Sequence, residues 1–69
     1  MYNPKKNGKR LKALRLERNL SQAKVAKAVK IAPQTMSSYE VGVRNPDDEV
    51  KMRLAKFYKR SVEEIFFAK

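Results

Sequence analysis

The sequence predicts an all-α fold, a compact bundle of five helices, on three observations. Within Gln22–Glu40, the residues Val25, Ala26 and Val29 stand at i, i+1, i+4 and make one helix face. Met36 and Tyr39, at i, i+3, make a second face after a break at Lys30-Ile31-Ala32. Pro33 closes the break, and proline suits the first turn of a helix, where its missing N–H would have no partner anyway. Finally, Ser21, Asp47 and Ser61 each head an apolar run, and such side chains accept bonds from the free N–H groups of a first helical turn.

In chain order, residues 1–7 are polar and basic and read as a flexible arm, with residues 8–69 forming the folded domain. The arm is either a solubilising tail or a segment that follows phosphates or a minor groove. Helix 1 is expected from about Lys9 to Arg18, with Leu11, Leu14 and the stem of Arg15 facing inward and Lys12 and Arg18 facing solvent. Asn19 ends it, since asparagine tolerates the left-handed conformation, and Leu20 plugs the core beyond. Ser21 caps helix 2. Helix 3 runs from Pro33 to about Val41 and stops at Gly42. Asp47 caps helix 4, with Asp48 and Glu49 favourably placed at the positive end of its dipole. Val50, Leu54, Ala55, Phe57 and Tyr58 supply its apolar residues. Ser61 and Glu64 form a capping box that opens a short fifth helix with Val62, Ile65 and Phe66.

The chain of 69 residues is one domain, near the lower limit for a self-sufficient core. It has neither cysteine nor histidine, which removes disulfides, thiolate chemistry, the commonest general base and the commonest zinc ligand. No cofactor, metal or small-molecule ligand is expected, and no catalytic constellation is legible. The 17 basic and 7 acidic residues leave a net charge of +10, which calls for a polyanionic partner. Nucleic acid is the simplest. An anionic membrane surface fits less well, because the basic residues are spread over helices that also build a consistent core. No apolar run approaches the roughly 20 residues of a spanning helix. The N-terminus lacks the apolar stretch of a signal peptide, so cytoplasm is the expected compartment. No linker or repeat marks a second domain.

Two short helices joined through a tight turn make a helix-turn-helix unit. The outer face of its second helix carries Gln34, Ser37 and Ser38, compact uncharged groups that can bond base edges in a major groove. The chain resembles a single domain of the lambda-repressor-like (Cro-like, XRE) family. The resemblance rests on Arg15, Leu20-Ser21-Gln22, Val25-Ala26, Val29, Ile31, Met36, Tyr39-Glu40, Gly42, Arg44 and Pro46, then Leu54-Ala55 and Ser61–Phe66. It implies that helix 3 is the recognition helix. The residues expected to face bases are Ala32, Pro33, Gln34, Thr35, Ser37 and Ser38, against the plainer reading of a solvated face. Ala32 would touch a thymine methyl, and Gln34 would make a bidentate contact to adenine. The residues expected at phosphates are Gln22, Lys9, Arg10, Lys24, Arg44 and Asn45, with the role of Gln22 carried over from the family.

The family also implies an ion pair between Arg15 and Glu40. Lys30 stands where relatives have glycine, so it either accepts a left-handed backbone or the turn differs. Ala32 replaces a capping Ser or Thr, and Val41 stands where relatives carry a polar or basic residue. The function implied is a sequence-specific regulator of double-stranded DNA, a repressor binding a palindromic operator as a homodimer. The alternative is an antitoxin-type or other protein-interaction module that also binds its own promoter. The expected dimer patch is Met52, Phe57, Phe66 and Phe67, because successive aromatic residues cannot all face one core.

Overall fold

The computed structural model describes residues 3–68, and these hold helices and turns with no strand. The elements are α1 (Pro4–Glu17), α2 (Gln22–Ala28), α3 (Pro33–Val41), α4 (Asp48–Tyr58) and a short π-helical turn, α5 (Glu63–Phe67). The all-α, five-element expectation therefore holds, and α2, α3 and α4 begin at the signals read for them. The side chains of Ser21 and Asp47 accept the backbone N–H groups of Lys24 and Val50. Ser61 and Glu64 make both bonds of the capping box, each at 3.0 Å. The Ser61 backbone N–H, with the Ser61 hydroxyl adding, holds the exposed Glu64 carboxylate below the ordinary range.

The start of α1 differs from the expectation. Pro4–Asn7, assigned to a flexible arm, are the first residues of the helix, and Asn3 caps them by accepting the Lys6 N–H at 3.1 Å. Met1 and Tyr2, the rest of the expected arm, lie outside the described residues. Gly8 is then interior to the helix rather than at its start. It is buried because α1 crosses the end of α3 there, and a Cβ would run into the carbonyl oxygens of Tyr39 and Glu40. The missing side chain sets how close the two helices come.

All four longer helices end the same way. A residue in the left-handed region follows the last turn, and the two N–H groups at the exit bond back to carbonyls of that turn. After α1 these bonds are Asn19 N to Leu16 O (3.0 Å) and Leu20 N to Arg15 O (3.2 Å). After α2 they are Lys30 N to Lys27 O (3.3 Å) and Ile31 N to Ala26 O (2.9 Å). Gly42 and Val43 repeat the pattern after α3, and Lys59 and Arg60 after α4. Only Gly42 adopts this conformation freely, at φ 84°. Asn19, Lys30 and Lys59 adopt it at φ 55°, 63° and 56°, so Lys30 accepts the strained backbone and the turn keeps its shape.

The core unites residues from every helix: Leu11; Val25, Ala26 and Val29; Met36 and Tyr39; Val50, Leu54, Ala55 and Tyr58; Ile65 and Phe66. Leu14, Leu20, Ile31, Phe57 and Val62 pack at its edge. Two arginines of α1 and Arg18, which caps its C-terminus, each hold a different element. Arg10 donates to the carbonyls of Ile65 (2.7 Å) and Ala68 (3.1 Å), Arg15 reaches α3, and Arg18 donates to the carbonyls of Phe57 and Tyr58, each at 3.0 Å. Arg18 is exposed, as expected, yet its guanidinium also lies 5.8 and 5.5 Å from the ring centres of Phe57 and Tyr58.

Candidate nucleic-acid interface

The interface is built on α2, the four-residue turn and α3. Inward, Val25, Ala26, Val29, Met36 and Tyr39 fix the two helices to the core. Outward, Ala32, Pro33 and Gln34 at the head of α3 are exposed, and Thr35, Ser37 and Ser38 are half-exposed. Ala32 gives α3 no side-chain cap, and Pro33 at the first position leaves one N–H fewer to satisfy. The Ser38 hydroxyl donates to the Gln34 carbonyl at 3.0 Å, which spends its proton and leaves its oxygen as an acceptor. Val41 and Val43 flank Gly42 at 60% and 74% exposure, an apolar exit where a phosphate contact would need a donor.

Behind this surface lies the ion pair. Arg15 Nε meets Glu40 Oε2 at 2.8 Å, and Arg15 Nη2 meets Oε1 at 3.1 Å, a two-point contact between α1 and the end of α3. The two side chains are only 11% and 2% exposed. Arg15 Nη1 also donates to the Leu20 carbonyl at 2.8 Å. The bonds to Glu40 raise the Arg15 pKa above its ordinary value despite the opposing effect of burial. Gln22, at the first position of α2, donates its Nε2 to Glu40 Oε1 at 3.0 Å. The carboxylate thus accepts three N–H groups from two other helices.

The remaining phosphate set divides. Lys9, Lys24, Arg44 and Asn45 are exposed. Arg10 is corrected: its guanidinium is half-buried and bonds Asn7 Oδ1 (3.1 Å) as well as the Ile65 and Ala68 carbonyls. Its charge serves the end of α5, where carbonyls lack intrahelical partners. The expected dimer patch divides likewise. Met52 and Phe67 are 64% and 43% exposed, and Phe57 is half-buried. Phe66 is corrected: it is fully buried in the core and can offer nothing to a partner. Lys51 Nζ lies 5.1 Å from the Phe67 ring centre.

Among the described residues, no group of three or more His, Cys, Asp or Glu could hold a metal ion, and no helix is long and apolar enough to cross a membrane. A shallow groove of about 310 Å³ lies between Val29-Lys30 and the Arg53, Lys56 and Phe57 side of α4. Arg53 there donates to the Val29 carbonyl at 3.3 Å, closing the end of α2. Sequence reasoning missed Gly8 as a crossing point and Arg10 and Arg18 as clasps. Asn3-Pro4, a capping residue before a proline, was the one local signal for the longer α1.

The chain belongs to the helix-turn-helix family of the Cro-like (XRE) type, whose model matches residues 11–65. This is a family of transcriptional regulators, not enzymes. A curated relative is the cryptic phage CTXphi transcriptional repressor RstR of Vibrio cholerae, 36% identical over 56 residues, which cover 81% of this chain and 50% of the relative. The chain thus spans half the length of that protein. Among solved structures, the P22 c2 repressor in complex with synthetic operator 9T superposes with a TM-score of 0.84 at 25% identity, covering 87% of this chain and 91% of that one. The restriction-modification controller protein C.AhdI from Aeromonas hydrophila gives a TM-score of 0.83 at 29% identity, covering 90% and 94%.

Proposed function

We propose that this chain is a sequence-specific repressor that binds double-stranded DNA with α3 in the major groove. The observation that carries the proposal is the outward face of α3, where an exposed Gln34 is held on a helix locked to the core and to α1. Gln34 is the principal base reader, with Ala32, Pro33, Thr35, Ser37 and Ser38 around it. Gln22, Lys9, Lys24, Arg44 and Asn45 hold phosphates. The repressor names of the phage relative and of the P22 neighbour, the latter bound to an operator, support the same reading. A module of this size buries about 600–1,000 Å² on DNA, seldom enough to select one site in a genome. The protein therefore acts as a homodimer on a palindrome with half-sites about 34 Å apart. Met52, Phe57 and Phe67 form the contact, and the cytoplasm is the compartment in which it meets DNA.

The test is a gel shift over a range of salt concentrations, comparing an inverted repeat from the DNA flanking its gene with random duplex. Selective binding that steepens with dilution of the protein is the expected result. Equal affinity for both duplexes at physiological salt would refute a sequence-specific repressor.

A further inference from the structure

We propose that Glu40 is a positioning residue for DNA binding, holding the Gln22 amide ready for a phosphate. The inference rests on the reading of Gln22 as a phosphate contact. A glutamine in the exposed first turn of a helix ordinarily samples many rotamers, and docking it on DNA costs that freedom. Here one N–H of Nε2 is already bound, to Glu40 Oε1 at 3.0 Å. An amide nitrogen carries two N–H groups, so the second stays available while the first fixes the side chain. Glu40 is in turn immobile: it is buried, and both its oxygens accept from Arg15. It also belongs to α3. The same carboxylate therefore sets the distance from a backbone-binding group on α2 to the base-reading face of α3. Binding geometry is fixed before the duplex arrives, which is how preorganisation raises affinity.

The experiment is a mutant cycle on a random-sequence duplex. Gln22→Ala is measured in the wild-type background and in Arg15→Met/Glu40→Met, in which apolar side chains fill the space of the pair. In wild type the substitution should weaken binding about tenfold, the worth of a hydrogen bond to a charged group. In the apolar background the loss should shrink to less than about threefold. Glu40→Gln keeps an acceptor oxygen for Gln22 and should retain most of the Gln22 effect. An equal loss in wild type and in the apolar background would overturn the positioning role and leave the phosphate contact standing. No loss in wild type would overturn the phosphate contact and the inference together. Should the apolar variant not fold, NMR of the free wild-type protein decides. The two Gln22 side-chain protons should be well separated and protected from exchange, and random-coil values would overturn the inference.

Discussion

Glu40→Ala should be the most damaging single change at the interface, and its cost can be worked from the contacts. The substitution removes both acceptors of Arg15 and the acceptor of Gln22. Gln22 is half-exposed and recovers its bond from water. Arg15 is the problem: its side chain is 11% exposed and retains the Leu20 carbonyl alone. Breaking a buried pair from one side costs about 3–5 kcal/mol, and the partial access of Arg15 to water lowers this to about 2–4 kcal/mol. A domain of 69 residues holds roughly 3–10 kcal/mol in total. The midpoint of thermal unfolding should therefore fall by about 10–30 °C, followed by circular dichroism. Arg15→Met/Glu40→Met should stay near wild type, because no buried charge is stranded. A loss below about 1 kcal/mol for Glu40→Ala would show that Arg15 rehydrates freely, and the argument from burial would fail.

Burial, with the nearby Glu40 charge adding, pushes the Tyr58 phenol up to about 12, so folding favours its neutral form. Its contribution is present below the ordinary pKa of about 10 and is lost as pH rises towards 12. Among the described residues Tyr58 Oη has no hydrogen-bond partner, so Tyr58→Phe should be neutral or stabilising at pH 7 and should unfold at higher pH in an alkaline titration. Lys30→Gly relieves a left-handed residue but frees the unfolded chain and removes a cation at the end of α2. The balance is a gain of about 0.5 kcal/mol, read in urea at unchanged slope, and a lower midpoint would refute the strain. Gly8→Ala should destabilise the fold by more than about 1 kcal/mol, since a Cβ meets the backbone of α3; a neutral result by the same assay would mean that the crossing is looser. Gln34→Ala should relax preference at one base pair by about 1–3 kcal/mol, whereas Arg44→Ala should weaken all duplexes and flatten the salt slope by about one unit. A uniform loss for Gln34→Ala would make it a positioning contact.

Much of this was legible because it is local. A helix end is encoded within five residues, so Ser21, Asp47 and the Ser61/Glu64 pair could be placed directly, and Asn19 and Gly42 marked two exits. The break at Lys30–Ala32 interrupts the apolar period, which fixed the turn. What escaped depends on distant partners. Gly8 looks like a helix breaker until the Glu40 carbonyl is beside it. Arg10 looks like one more surface charge, since its acceptor on Ile65 lies 55 residues away. Phe66 and Phe67 do face apart, but their adjacency does not say which one turns inward, and the expected patch wrongly held both. The π-helical turn sends Phe66 in and leaves Phe67 at the surface.

The clasp between Arg10 and the Ile65 carbonyl also has a consequence in time. A chain leaves the ribosome at about 5–20 residues per second, so the 55 residues separating the two partners take roughly 3–11 s to be made. Throughout that interval α1 exists without the segment that Arg10 clasps, and the core that Leu11 shares with Ile65 and Phe66 is incomplete. Helices form in microseconds, so the delay comes from synthesis and not from folding. The nascent chain is therefore the form most exposed to proteases and holdase chaperones, and substitutions that loosen α1 should lower the yield of protein in the cell more than they lower the stability of the finished domain.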